Sequence, residues 1–194
     1  MAGDGVMKES DVERIEFEIA CSARTHVPVL ITSRDSEERE RIAHSIHARS
    51  TRAQGPFISV NCARPLTPLL SGDLFGDPRE SLVGEHVLGV IERAHGGTLF
   101  LDHVGELSRP VQTLLSQFLA TGGGDSTRSV DVRVITASSR PLIERVLTHE
   151  FREDLFYRLN VIHILGRMCS QRLSSVPVPA LARSSPWRTR STTT

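Results

Sequence analysis

The stretch Gly96-Gly97-Thr98-Leu99-Phe100-Leu101-Asp102-His103-Val104-Gly105-Glu106-Leu107 decides the fold. Thr98 to Leu101 is a short apolar run with β-branched and aromatic members, bounded by glycines, and it reads as a fully buried strand of a parallel sheet. Asp102 stands where that strand ends. A carboxylate at the carboxyl end of such a strand lies where open α/β sheets bind their ligands. In a nucleotide hydrolase it holds Mg²⁺, directly or through water. In a plain scaffold it caps the following turn. This stretch alone leaves both roles open.

Outward from it, the chain alternates strand and helix. Val12, Ile15 and Ile19, spaced by three and four, predict an amphipathic helix over 10–25, with Phe17 off its apolar face. Val27 to Thr32 reads as a buried strand, and a helix starting near Ser36 follows, with Ile42, Ala43 and Ile46 on one face and Glu37 and Glu38 in its first turn. Phe57 to Cys62 is a further strand, Pro65 to Phe75 a short helix, Gly76 to Gly89 a loop, and Val90 to Ala94 a short helical or extended piece. Past the central strand, Ser108 is placed to cap a helix with Pro110 in its first turn and Val111, Leu114, Leu115, Phe118 and Leu119 as its buried face. Residues 121–129 form a glycine-rich loop. Val130 to Ala137 alternates as a strand, Pro141 to Thr148 and Phe151 to Arg158 are short helices, and Val161 to Leu165 is a last strand. Such alternation predicts a parallel α/β sheet with helices on both faces.

At 194 residues, 24% charged and 39% hydrophobic, the chain has the length of about one domain. No apolar run is long enough to span a membrane, and the polar N-terminus lacks the apolar core of a signal peptide. Cys21, Cys62 and Cys169 have no metal-binding spacing and are expected as reduced thiols, in keeping with a cytoplasmic protein. Zero net charge conceals an asymmetry: residues 167–194 carry five arginines and no acid, so they are +5 and residues 1–166 are −5. The tail is expected to be disordered.

The turn between the second predicted helix and the strand before it has the geometry of a phosphate-binding loop but not its residues. Such a loop needs glycines, so that backbone N–H groups can close around phosphates, and a lysine to reach them. Ser33 to Arg39 contains neither, and Asp35, Glu37 and Glu38 would repel a triphosphate. Arg39 offers positive charge, but arginine is not equivalent to lysine there.

Eight segments, in order, carry a resemblance: PVLIT (28–32), AHSIHARS (43–50), PFISVNCA (56–63), DLFG (73–76), GGTLFLDHVGEL (96–107), VQTLL (111–115), DVRVITASSR (131–140) and FREDLFYRLNV (151–161). From about residue 10 to 165 the chain resembles the central AAA+ ATPase domain of bacterial sigma-54-dependent transcription activators. The resemblance implies a P-loop NTPase-like parallel sheet of about five strands, with ATP and Mg²⁺ as cofactors and an ATP-driven hexamer that remodels sigma-54 RNA polymerase. By position Asp102 matches the Walker B aspartate, the Mg²⁺ partner. Ser139 falls at the sensor position, and Arg152 and Arg158 match the arginine fingers that reach a neighbouring subunit's ATP. Ser36, Glu38, Arg39 and Glu40 fall on the Walker A signature.

The departures from that pattern are as informative. The Walker A glycines are gone and its lysine is Arg39. The Walker B glutamate is His103, which either hydrogen-bonds water in its place or merely fills a loop position. The sigma-54-contacting loop is represented by Glu80-Ser81-Leu82-Val83-Gly84-Glu85, which lacks the family's signature and leaves polymerase contact in question. The helical lid and a DNA-binding domain are expected to be absent. The expected organisation is therefore a flexible segment 1–9, an AAA+ sigma-54 interaction-like domain over 10–165 and an Arg/Ser/Thr/Pro-rich tail over 166–194. The expected function is a non-hydrolysing module of transcription regulation that associates with related activator subunits. The alternatives are an ATP-binding activator ATPase, a truncated remnant, or a nucleic-acid arm in the basic tail. For Arg152 and Arg158 the plain alternative is pairing with Glu153 and Asp154.

Overall fold

A computed structural model describes residues 9–63, 74–75, 89–122 and 130–166, with side chains from residue 12. The elements are α1 (Glu9–Ala23), β1 (Val29–Thr32), α2 (Ser36–Ala48), β2 (Phe57–Asn61), α3 (Val90–Arg93), β3 (Thr98–Asp102), α4 (Arg109–Ala120), β4 (Arg133–Ser138), α5 (Leu142–Leu147), α6 (Glu153–Leu159) and β5 (Ile162–Leu165), with a 3₁₀ turn at Val104–Glu106 after β3. Among the described residues five strands form the sheet, all parallel, in the order β2-β3-β4-β1-β5.

The expected three layers are present. On one face, Ile15 and Ile19 of α1 and Ile42, Ala43 and Ile46 of α2 pack on Val29, Ile31, Phe100, Ile135 and Ala137. On the other, Val111 and Leu115 of α4, Leu142 of α5 and Leu155 and Leu159 of α6 cover Leu30, Leu99, Leu101 and Val134. Successive strand residues point to opposite faces, so strands covered on both sides must be apolar at nearly every position. β1, β3 and β4 are buried along their whole lengths, as the runs VLIT and TLFL require. The β2–β3 pair starts in register at Phe57 and Thr98, and a Cβ at Gly97 would overlap the Pro56 carbonyl, so this approach demands glycine.

Several boundaries differ from the sequence expectation for local reasons. α1 stops at Ala23 rather than running to 25: the Arg24 and Thr25 amides donate to the Cys21 and Ser22 carbonyls three residues back, and the Thr25 hydroxyl also donates to the Ser22 carbonyl, closing the helix as the chain turns into the sheet. β1 begins at Val29, not Val27, since Pro28 has no N–H for the ladder, although its carbonyl accepts from Ile162. β4 begins at Arg133, not Val130. Ser108 occupies the N-cap position of α4, but its hydroxyl makes no capping bond. Leu114 of that helix is partly exposed, whereas Phe118 and Leu119 pack against the core. Leu74 and Phe75 are helical; the remainder of 65–75, most of the loop at 76–89 including 80–85, most of the loop at 121–129 and the tail from 167 lie outside the described residues.

Arg133 is the unforeseen member of the core. It is 1% exposed, and its Nη2 donates to the Ser22 carbonyl at 2.6 Å, in the last turn of α1 where carbonyls carry partial negative charge. Burial, then the nearby charge of Arg52, pushes its pKa down to about 10.

Candidate functional site

The carboxyl ends of β1, β4 and β3 bring Ser33, Ser138 and Asp102 to one edge of the sheet, where ligands bind in this class of fold. Only Ser33, Arg34 and Asp35 separate β1 from α2. Asp35 is the N-cap, and its Oδ1 accepts from the Glu37 amide at 2.9 Å. Helix therefore begins at Ser36, within the positions a phosphate-binding loop would use for open backbone. Asp35, Glu37 and Glu40 are exposed, as is Ser36.

Glu38 and Arg39 turn inward instead. Arg39 is 1% exposed, and its guanidinium grips Asp102 with both edges occupied: Nε donates to Oδ1 at 2.6 Å and Nη2 to Oδ2 at 2.9 Å. Nη1 donates to the Ser33 carbonyl at 2.8 Å, and Nη2 also reaches Nε2 of His103 at 2.8 Å. A guanidinium has only donors, so this ring nitrogen is an acceptor. The pairing is the bidentate charge-assisted kind, the strongest class of side-chain hydrogen bond. Glu38 is buried beside it, its Oε2 accepting from the Ser33 hydroxyl at 2.6 Å. Its carboxylate is thus turned into the fold rather than facing solvent to repel a ligand, as the sequence had suggested.

Asp102 does fulfil one of its two expected roles as seen here: Oδ1 also accepts from the His103 amide at 2.9 Å, capping the turn. His103 has a positive φ of 54°, a conformation that costs a non-glycine residue energy and that the bond from Arg39 and the one its own amide donates to Asp102 hold in place. Cys62 lies at the same edge, its amide bonded to the Asp102 carbonyl; burial, and then the Asp102 charge, pushes its thiol up to about 12, which disfavours the thiolate.

Residues of this edge do not fit a magnesium–nucleotide complex as they stand. A Mg²⁺ ion held directly takes carboxylate oxygen at about 2.0–2.1 Å, and one held through water needs a carboxylate free to accept from that water; both Asp102 oxygens already accept from a guanidinium. In the turn between β1 and α2 no glycine amide is available to phosphate. Among the described residues no cluster of His, Cys, Asp and Glu has metal-binding geometry.

The remaining candidates are separate from this cluster. Ser139 is half-buried just past β4 and takes no part in it; the neighbouring Ser138 hydroxyl donates to the Arg140 carbonyl at 2.7 Å. Arg152, at the N-cap of α6, chelates Asp154 at 2.9 and 3.1 Å and donates to Thr113 Oγ1 at 3.2 Å. Its pairing with Asp154 is the plain alternative read from the sequence. Arg158 is exposed, and no ion pair or hydrogen bond of its guanidinium occurs among the described residues. It lies just before β5 begins, at the sheet edge opposite Asp102. Sequence reasoning missed Ser33 and the inward turn of Glu38; the signal for Ser33 is its place directly after β1.

The hydrogen bond from Arg152, reinforced by that from Ser116, draws the Asp154 pKa down to about 2. Because the folded value lies below the unfolded one of about 3.9, the pair stabilises the fold above pH 4, and that contribution is lost as pH falls towards 2. The side chain is nearly half exposed, so screening leaves a small effect. Asp154→Asn is expected to remove about 1–2 °C of the acid-induced fall in thermal midpoint between pH 4 and 2, and less in high salt.

The family model described as the sigma-54 interaction domain matches residues 6–165. The chain is 40% identical over 181 residues to the transcriptional regulatory protein XylR of Pseudomonas putida, covering 90% of this chain and 32% of that one. It is 39% identical over 174 residues to the DNA-binding transcriptional regulator NtrC of Escherichia coli K12, covering 86% and 36%. It thus spans about a third of the length of these relatives. Among solved structures, NtrX from Brucella abortus in complex with ATP superposes with a TM-score of 0.71 at 32% identity, over 84% of this chain and 38% of that one. The P-loop NTPase domain of a sigma-54 activator from E. coli matches in fold, with a TM-score of 0.57 at 21% identity over 82% and 96%.

Proposed function

Because the chain belongs to the sigma-54 interaction domain family, we propose that it is a module of transcription regulation whose own nucleotide site is closed, and that it acts by associating with related activator subunits. The observation that carries this reading is the Arg39 guanidinium seated on both oxygens of Asp102. Residues 10–165 form the module, working in the cytoplasm. Phosphoryl transfer depends on positioning and on electrostatic stabilisation by metal and lysine. Here an arginine fixed to the aspartate offers neither, and His103 is engaged by that same arginine. ATP and Mg²⁺, implied by the family, therefore act at a partner's site rather than at this one.

A second element of the reading is favoured by Arg158, exposed and unpaired among the described residues. It is available to a neighbouring subunit in a way that Arg152, bonded to Asp154 and Thr113, is not. Mixing the protein with an ATP-hydrolysing relative tests this. Excess protein is expected to change turnover per relative subunit by about twofold or more, upward if Arg158 acts on the partner's nucleotide and downward if it poisons a mixed assembly. Arg158→Ala should abolish a stimulation. Unchanged turnover at saturating excess contradicts the association.

A further inference from the structure

The closed site is joined to the point where the chain leaves the sheet. Gly166 directly follows β5, and its amide donates to the Thr32 carbonyl at 2.8 Å, just before Ser33. A Cβ at Gly166 would strike Ser33 Cβ and the Glu38 carboxylate, and would lie 2.7 Å from Ser33 Oγ. Glu38 could swing aside, but Ser33 Cβ is fixed to the backbone and cannot move without shifting Ser33 itself. Ser33 holds both halves of the closure: its hydroxyl donates to Glu38 at 2.6 Å, and its carbonyl accepts from Arg39 Nη1 at 2.8 Å. Arg39 in turn holds Asp102 and His103. Further anchors fix the strand end, since Arg14 Nη2 donates to the Leu165 carbonyl at 2.9 Å and the Ser33 amide to the Ser138 carbonyl at 3.1 Å.

We propose that Gly166 is a positioning residue for a latch made of Ser33, Glu38, Arg39 and Asp102: having no side chain, it lets Ser33 sit where its carbonyl accepts from Arg39 and its hydroxyl donates to Glu38. This deepens the reading above, on which it rests, by naming what holds that site closed. Packing at Gly166 leaves no room for a side chain, and interiors this dense transmit a shift rather than absorb it. With glycine at 166 the Ser33 carbonyl is in place for Arg39; with a side chain there Ser33 is pushed away and the guanidinium loses one of its anchors.

Hydrogen exchange on the full chain carrying Gly166→Ala tests the latch. Amides 33–40 and 102–104 are expected to exchange about tenfold or more faster, while those of β4 and α4 keep native rates. Ser33→Gly should produce the same regional loosening, and the double variant should be no looser than either single one, as expected of residues acting through one contact. Native protection at 33–40 in the Gly166→Ala protein overturns the proposal, because Ser33 would then accommodate the added methyl without releasing Arg39. So does additive loosening in the double variant. Failure of the closed-site reading has a different signature, saturable magnesium–nucleotide binding by the unaltered protein.

Discussion

Replacing Arg39 by alanine is expected to lower the thermal midpoint by about 6–20 °C. Removing one partner of a buried ion pair leaves the other charge uncompensated, which costs about 3–5 kcal/mol, and a domain of this size shifts by about 2–4 °C per kcal/mol. The geometry places this pair at the costly end: Arg39 is fully buried, and the side chain of Asp102 is 12% exposed. The same substitution strips a donor from the Ser33 carbonyl and from His103, whose positive φ then lacks one of its restraints. Asp102→Ala should destabilise similarly by orphaning the guanidinium. The double variant Arg39→Met, Asp102→Leu should be less destabilised than the two single changes summed, because it removes both charges together. Calorimetry of the four proteins checks this. A midpoint within a degree or two of the parent for Arg39→Ala would mean that the pair is exposed and screened, unlike the pair described here.

The largest functional change is expected from undoing the closure. In a phosphate-binding loop of pattern Gly-x-x-x-x-Gly-Lys, the glycines and lysine fall on positions 33, 38 and 39 of this chain. The combined variant Ser33→Gly, Glu38→Gly, Arg39→Lys removes the Ser33 hydroxyl and the buried carboxylate, frees both oxygens of Asp102 and supplies a charge that can reach phosphate. Its affinity for magnesium–ATP should move from undetectable at about 1 mM to about 10 μM, or roughly 3 kcal/mol of binding free energy. Arg39→Lys alone should achieve little, since Glu38 and the helical start at Ser36 remain. Hydrolysis is not expected to follow binding, because His103 still stands where the family has its glutamate. Titration calorimetry separates these outcomes; no gain in the combined variant would mean that the loop backbone, not its side chains, closes the site.

Much of the architecture was legible because it is written in local periodicity. β1 and β3 are covered on both faces, and such strands must be unbroken apolar runs. The ends of elements were less so, since they depend on single backbone events such as the missing N–H of Pro28. Leu114 followed the helical pattern of its neighbours, yet that edge of α4 faces partly outward. Arg133 sits in a stretch whose alternation suggests one solvent-facing side; only the fold reveals that the end of α1 stands over it and offers a carbonyl.

The site was legible as a set of positions and not as an arrangement. Asp102, Arg39 and His103 could each be singled out from the sequence, and the loss of glycines argued against phosphate there. That Arg39 closes on Asp102 could not be read, because the two are 63 positions apart and a charged residue in a first helical turn ordinarily points to solvent. The same holds for Glu38, expected to repel a ligand from outside and found bonded to Ser33 within.

Seated on both oxygens of Asp102, Arg39 is proposed to exclude a magnesium–nucleotide complex. Titration of the unaltered protein with a fluorescent ATP analogue and Mg²⁺, beside an Asp102→Ala control, tests it most directly. No saturable binding below about 1 mM is expected in either protein. Affinity near 1 μM in the parent, abolished by Asp102→Ala, would contradict it.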